Sequence, residues 1–259
     1  MSNVQIHPTA IVDSGAEIGA GTIVGPYCII GPDVRIGADC WLQHHVTLSG
    51  PMRAGARNKF YAYCSIGQQT QDLKYLGEPT YLEMGDENTF REFCTVNRST
   101  TGAGKTRVGS CGNFLAYSHI GHDCNVGDAV VFSNNGTLAG HVHVGDHAVM
   151  GGLTAVHQFC RLGRFAITGG CSKIVQDVPP FMIADGNPAQ IRGINLIGME
   201  RNNFAPETVK LIKDAFRIIY RSKYNTGQAM DAIRAELPPV PEITQLIEFV
   251  EESERGITR

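Results

Sequence analysis

The sequence carries little charge, a single tryptophan and no long apolar run. Charged residues make up 18% of the chain and the formal net charge is −3, so the strongly basic face typical of nucleic-acid-binding proteins is not expected. No run of about 18 consecutive apolar residues occurs, so no transmembrane helix is predicted. The N-terminus lacks a basic segment followed by an apolar one, and we therefore expect no signal peptide and a cytoplasmic protein.

What the sequence does contain is a repeat of six residues. Taking every sixth residue from Ile6 to Ile174 gives 29 positions, of which 25 are apolar and 14 are followed directly by glycine. Six is a multiple of the strand period of two and not of the helical period of 3.6. The repeat therefore predicts short strands joined by corners, which stack into a parallel β-helix.

The cysteines follow the same repeat. The position two residues before each repeated apolar residue faces the same side of a strand. Because no export signal is predicted, the cysteines there are expected to be reduced packing residues rather than disulfides or metal ligands. Six of the eight cysteines occupy this position: Cys28, Cys40, Cys64, Cys94, Cys124 and Cys160.

Glycine directly after the large apolar residue is also typical of a tight corner. Its small size suits either a positive φ or the close approach of a neighbouring backbone. The repeat alone leaves both reasons open.

The repeat is interrupted twice and ends near residue 180. The interruptions at 68–82 and 97–107 leave the period in phase, so we predict loops that project from the β-helix and carry function or assembly. From Pro206 the apolar spacing becomes helical, and two more helices are predicted around 226–237 and 241–254. The predicted organisation is a mainly β chain, with a β-helix over residues 1–190 and an α-helical domain over residues 191–259.

The first of these helices has a basic stripe beside its apolar face. The stripe indicates either a solvated surface or a docking site for an acidic partner. It consists of Lys210, Lys213, Arg217 and Arg221.

The repeat resembles the left-handed hexapeptide-repeat family, in which three hexads, about 18 residues, form one triangular coil. Residues 18 apart would then stack, which places Gly140 over His122 and His141 over Asp123. Four of the nine histidines, namely His119, His122, His141 and His157, gather along one edge, and Gln158 and Phe159 continue the two columns.

Three kinds of function fit such a cluster. Acyl transfer needs a general base with a near-neutral pKa and donors for an oxyanion. A zinc site needs three or four converging ligands, but the carbonic-anhydrase relatives use an H-x4-H pair that is missing here, which disfavours a metal. A passive structural solenoid would leave the histidines and the loops without a role.

Five segments narrow the choice: QDLKYLGEPT (71–80), AYSHIGHDCNVG (116–127), NNGTLAGHVHVGD (134–146), TAVHQFCRLG (154–163) and GGCSKIVQDVPPFMIADGNPA (169–189). They resemble the UDP-N-acetylglucosamine O-acyltransferase family of lipid A biosynthesis. The resemblance implies transfer of an R-3-hydroxyacyl chain from acyl carrier protein to the sugar 3-hydroxyl. It also implies a homotrimer with active sites between neighbouring β-helices, and no metal or other cofactor.

The resemblance also implies roles for individual residues. His122 would be the general base, Asp123 would orient it, and the Gly140 N–H would bind the oxyanion. Gly170 and Pro188 would lie near the site that measures the acyl chain, and the basic stripe would dock the acidic carrier protein. Substrate-positioning roles would fall to Gln71, Asp72, Lys74, His119, His141, His157, Gln158, Asn195 and Arg201.

Ile197 and Asn202 depart from the family, which has a carboxylate and an arginine at the matching places. Gly170 leaves room for a long chain, so we expect an acyl group of about 12–14 carbons. A 3-amino sugar would fit the same pocket as the ordinary acceptor.

The alternatives are a sister N-acyltransferase, which usually carries an extra N-terminal domain, and a coenzyme-A-dependent acetyltransferase, which would not need the basic stripe.

Overall fold

The computed structural model describes residues 3–259, and most of them coil into a left-handed parallel β-helix with three faces, here called sheets A, B and C. Each coil gives one short strand to each sheet, and equivalent strands pair in parallel, as His119 does with Thr137 in the next coil. The predicted fold class is confirmed. Residues 1 and 2 of the predicted first domain lie outside the described part of the chain.

The three sheets contain 11, 9 and 8 strands. Sheet A comprises Gln5–Ile6, Ile23–Val24, Trp41–Leu42, Lys59–Phe60, Thr89–Phe90, Asn113–Phe114, Val131–Phe132, Val149–Met150, Ile167–Thr168, Met182–Gly186 and Ala189–Ile194. Sheet B comprises Ile11–Val12, Ile29–Ile30, Thr47–Leu48, Ser65–Gln68, Thr95–Asn97, His119–Ile120, Thr137–Leu138, Ala155–Val156 and Lys173–Ile174. Sheet C comprises Glu17–Ile18, Val34–Ile36, Met52–Ala54, Tyr81–Met84, Lys105–Val108, Asn125–Val126, His143–Val144 and Arg161–Leu162.

The repeated apolar residues fill the inside of the coils. Phe60, Phe90 and Phe114 stack there with ring centroids 5.5 and 4.8 Å apart, and burial of each ring contributes roughly 1.5–3 kcal/mol. The six cysteines of the repeat are buried and free, whereas Cys111 and Cys171 are free and exposed. The prediction that the repeat cysteines are packing residues is therefore confirmed.

At most corners, the structure decides between the two reasons for glycine that the sequence left open. The positive φ falls three residues after the large apolar residue and is carried by other residues, such as Asp123 (59°) and His141 (61°). Most of the glycines that follow the large apolar residue are required by close approach: a Cβ on Gly163 would lie 2.3 Å from the nitrogen of Pro180. Gly31 has no such close contact, and Gly67 also has a positive φ of 78°. The corner residues that adopt a positive φ are thus free to carry functional side chains.

The end of the β-helix differs from the prediction in two ways. Met182–Gly186 continues sheet A and then turns back on Ala189–Ile194 in an antiparallel hairpin. A short helix, α1 (Leu196–Arg201), follows. Neither element has a six-residue or a long helical period, so the sequence pattern missed both.

The three predicted helices are confirmed. They are α2 (Pro206–Arg221), α3 (Thr226–Glu236) and α4 (Pro241–Glu251). Their buried apolar residues, such as Ile219 and Leu246, join the core of the β-helix. Among residues 3–259, no helix combines the length and apolar character needed to cross a membrane.

Candidate active site

The two loops and the histidine-rich edge meet at one corner of the β-helix, between sheets B and C, here called the BC corner. Loop 1 (residues 69–80) joins Ser65–Gln68 of sheet B to Tyr81–Met84 of sheet C, and loop 2 (residues 98–104) joins the next pair of strands. His122 and Asp123 occupy this corner one coil further on, followed by Gly140 and His141. The topology therefore brings both loops beside the predicted base.

Asp123 is the most firmly held side chain at the BC corner. Its Oδ2 accepts a hydrogen bond from Thr100 N at 3.0 Å and lies 2.8 Å from His122 Nδ1, while its Oδ1 accepts from Ser99 Oγ. Burial raises the pKa of Asp123, but the hydrogen bonds from Ser99, His122 and Thr100 outweigh it, so the pKa is lowered overall. Asp123 is therefore an anion that fixes one ring nitrogen of His122.

Gly140 lies directly against the His122 ring. A Cβ at this position would be 2.3 Å from His122 Cε1 and 2.4 Å from Nε2, so only glycine leaves the imidazole in place. The Gly140 N–H donates to no acceptor within residues 3–259, because the ladder between coils uses Ala139 N and His141 N instead. The backbone of Gly140, with its free N–H donor, thus packs against the edge of the imidazole that carries Nε2.

The other histidines of the histidine-rich edge have different environments. His119 is held by a 2.8 Å hydrogen bond between its Nδ1 and Thr95 Oγ1, and burial, with a smaller effect of His122, lowers its pKa. The His141 ring crosses that of His122 at 88° and stacks on Phe159 at 4.7 Å. His157 and Gln158 are exposed one coil further along.

A chain of hydrogen bonds connects loop 1 to the base. Asp72 N donates to Thr70 Oγ1 at 3.0 Å, and that hydroxyl lies 2.7 Å from Thr100 Oγ1; Thr100 N in turn binds Asp123. Gln71 and Lys74 are exposed on the same loop. The sequence missed Ser99 and Thr100 because loop 2 was read as an interruption and not as a support for Asp123.

The remaining predicted substrate residues lie elsewhere on the same chain. Asn195 is the N-cap of α1: its Oδ1 accepts from Gly198 N, and its Nδ2 donates to the carbonyl of Phe165 at the corner between sheets C and A. Arg201 is exposed at the end of α1. Neither residue meets the BC corner of its own chain.

The residues predicted to measure the acyl chain lie at the third corner, between sheets A and B. A Cβ on Gly170 would meet only the carbonyl oxygen of Gly152, at an ordinary 3.5 Å. Pro188 is exposed in the turn of the hairpin, and Gly186 N donates to Ser172 Oγ at 3.2 Å. The hairpin turn is thereby held close to Gly170.

His122, Asp123 and His141 also form a compact group of potential metal ligands. One ligand atom from each lies within 4.8 Å of the others, and His141 Nε2 is 3.8 Å from Asp123 Oδ2. The spacing of histidines in the sequence disfavoured such a group. It missed this one because the second histidine comes from the next coil and not from the same segment.

Two family models match the chain. One, described as domain 2 of UDP-N-acetylglucosamine O-acyltransferase, covers residues 177–258. The other, the bacterial transferase hexapeptide of six repeats, covers residues 15–50. Fold and models together make the chain a transferase of the hexapeptide-repeat class.

Solved structures narrow the class further. The UDP-N-acetylglucosamine acyltransferase of Bacteroides fragilis is 36% identical over 98% of this chain and 100% of its own, with a TM-score of 0.96. The Moraxella catarrhalis O-acyltransferase is 43% identical over 98% and 99% of the two chains (TM-score 0.95), and the Arabidopsis acyltransferase is 34% identical over 98% and 100% (TM-score 0.88). The chain belongs to the UDP-N-acetylglucosamine acyltransferase family and is an acyltransferase.

Proposed function

We propose that the protein transfers an R-3-hydroxyacyl chain from acyl carrier protein to the 3-hydroxyl of UDP-N-acetylglucosamine, in the cytoplasm, as the first step of lipid A biosynthesis. The observation that carries the chemistry is the close approach of the Gly140 backbone, whose N–H is free, to the His122 imidazole. Family membership supports the acceptor. The basic stripe on α2 supports an acidic carrier as the donor.

In the proposed mechanism Asp123 holds the proton on His122 Nδ1, which leaves Nε2 with a lone pair on the side of Gly140. Nε2 takes the proton of the sugar 3-hydroxyl as the oxygen attacks the thioester carbonyl. The Gly140 N–H stabilises the negative oxygen of the tetrahedral intermediate. The intermediate then expels the carrier's thiolate, which takes the proton back from the imidazolium. No redox step or cofactor enters this scheme.

The positions of Asn195 and Arg201 support a homotrimer with active sites between subunits. Because both lie away from their own BC corner, they would serve the site of a neighbouring copy. Exposed apolar groups support the same arrangement: Leu73 and Leu76 of loop 1 are 99% and 87% exposed. Along the corner between sheets A and B, rings stack about 5 Å apart in a ridge of Tyr27, His45, Tyr63, Phe93 and Tyr117, here called the AB ridge.

The trimer is tested by sedimentation. We expect the wild-type protein to sediment as a trimer and the Phe93→Asp variant as a monomer, because a carboxylate in the middle of the AB ridge would be desolvated in the interface. Tyr224→Asp, at an exposed ring outside the ridge, is the matched control and should leave the mass unchanged. A wild-type protein that sediments as a monomer would refute the assembly.

Substrate positioning is assigned to the loop 1 residues Gln71, Asp72 and Lys74 and to His119, His141, His157 and Gln158. Gly170 and Pro188 would limit the acyl chain at the corner between sheets A and B. Lys210, Lys213, Arg217 and Arg221 would dock the carrier, and three of them form no ion pair within residues 3–259; Arg217 pairs with Asp214 at 3.0 Å.

The central experiment supplies UDP-N-acetylglucosamine together with a set of 3-hydroxyacyl carrier proteins and analyses the product. We expect the acylated sugar nucleotide, and a decrease of about 100-fold or more in kcat for His122→Ala with an unchanged melting temperature. The 3-amino analogue of the sugar is assayed in parallel. The absence of product with either acceptor, or an unimpaired His122→Ala enzyme, would overturn the proposal.

A further inference from the structure

We infer that His122, Asp123 and His141 form a binding site for a divalent transition-metal ion, zinc above all, and that occupation of this site inhibits the enzyme. The metal ion itself is not needed for catalysis. Only the inhibition rests on the proposed function. Binding of the metal depends on the three side chains alone.

The geometry is close to that of a tetrahedral zinc centre. Ligand atoms about 2.1 Å from zinc lie about 3.4 Å from one another in a tetrahedral site. The distances from Asp123 Oδ2 to His122 Nδ1 and to His141 Nε2, 2.8 and 3.8 Å, fall on either side of that value. All three ligand atoms lie within 4.8 Å of one another, so rotation of the two rings would bring them onto one ion, and the fourth position would remain open for water.

The surroundings of Asp123 favour binding as well. Ser99, Thr100 N and Thr106 Oγ1, which accepts from Asp123 N at 2.9 Å, fix the residue before any ligand arrives. Hydrogen bonds of this kind to a ligating carboxylate usually strengthen metal sites. Two imidazoles and one carboxylate favour zinc over magnesium or calcium, which prefer sets made only of oxygen atoms.

Zinc would inhibit by fixing the wrong tautomer of the base. When His122 Nδ1 binds the metal, its proton is released, and the neutral ring then carries its single proton on Nε2. That nitrogen has no lone pair for the sugar hydroxyl. Zinc would also hold the Asp123 carboxylate that orients the ring in the free enzyme.

The test measures zinc binding by calorimetry and visible absorption with cobalt as a spectroscopic substitute, on the full chain. A Cys111→Ser/Cys171→Ser background removes the two exposed thiols, which would otherwise bind zinc. We expect one site per chain, and we expect His141→Ala to weaken zinc binding by more than about tenfold. The matched control is His44→Ala, which breaks another close imidazole pair, His44 Nδ1 and His45 Nδ1 at 3.0 Å, and should leave binding unchanged.

Activity is then measured with zinc and again after a chelator is added. Reversible inhibition at the zinc concentration that fills the site is expected. The inference is overturned if zinc does not bind, if His141→Ala binds it as well as the parent protein, if His44→Ala abolishes binding, or if the zinc-loaded enzyme is fully active. Zinc binding is measured without substrate. The metal site would therefore be detected even if the enzyme acted on another acceptor.

Discussion

The backbone of Gly140 and the imidazole of His122 are in contact across two neighbouring coils, and the space between them is too small for a methyl group. Stacking at about 4.8 Å per coil enforces this contact, since a corner residue lies directly over the one 18 positions before it. The same stacking leaves the Gly140 N–H free. One relationship thus provides both a place for the base and a donor beside it.

Gly140→Ala should reduce kcat by about 100-fold, because a Cβ 2.3 Å from Cε1 must displace the His122 ring. The fold should survive. Steady-state kinetics and circular dichroism measure the two effects. Gly31→Ala is the matched control, since its Cβ would meet only a carbonyl oxygen at 3.5 Å and a Cα at 3.9 Å. Equal losses in the two variants would show that the effect is not local to the base.

Ser99→Ala should lower kcat by about tenfold with little change in KM, because it removes a hydrogen bond from the carboxylate that orients His122. Ser110→Ala is a suitable comparison: Ser110 Oγ accepts from Asp86 N at a different corner. A Ser99 variant with the kinetics of the wild type would contradict the role of loop 2.

The stability of the protein should fall below about pH 6.5 through His119. Burial lowers the pKa of this histidine from 6.5, so the unfolded chain binds the proton more tightly than the folded one. Stability is therefore lost as the pH drops through 6.5 towards the lowered value. Asp123, whose pKa is lowered from 3.8, affects the pH dependence of stability only in more acidic solution.

His119→Gln should thus make the melting temperature less dependent on pH between about pH 7 and pH 5. Thermal denaturation at several pH values provides the measurement. The exposed His7 offers a control substitution, His7→Gln, which should retain the slope of the wild type. The hypothesis fails if the two variants have the same slope.

Reversing the charge of the basic stripe should weaken binding of the acyl carrier protein and leave binding of the sugar nucleotide unchanged. In the double variant Lys210→Glu/Lys213→Glu, we expect KM for the acyl carrier protein to rise by about tenfold at low salt, and the difference to shrink as salt screens the charges. The same result is expected for Arg217→Glu/Arg221→Glu. Lys59→Glu, on the exposed side of sheet A, controls for net charge; a KM that does not respond in either double variant would exclude the stripe as the dock.

The wild-type enzyme should transfer chains of about 12–14 carbons faster than a ten-carbon chain, and Gly170→Met should reverse this preference. The open space around a Cβ at Gly170 means that the methionine can project outward without disturbing the coil. Competition assays with mixed acyl carrier proteins give the ratio directly. An unchanged ratio in the variant would place the limit on chain length elsewhere.

The sequence predicted the parts of the molecule that are governed by periodicity. The six-residue period determined the strands and the buried side of each coil. The resemblance to the hexapeptide-repeat family implied the coil of three hexads that stacks residues 18 apart. The helical spacing after Pro206 located three helices correctly to within a few residues. The hairpin from Met182 and the helix α1 were missed, because neither is long enough or regular enough to produce a period.

The candidate site divides in the same way. The sequence predicted that His122 and Gly140 lie together once its resemblance to the hexapeptide-repeat family implied a coil of 18 residues, because a fixed coil length converts a difference of 18 residues into a contact. Tertiary structure decided what surrounds them. Ser99 and Thr100 bind Asp123, and His141 completes a group of three potential metal ligands. Asn195 lies at the corner between sheets C and A and not at the BC corner. These contacts depend on loop conformations and on the direction of individual side chains, which are set by packing between segments and leave no period in the chain.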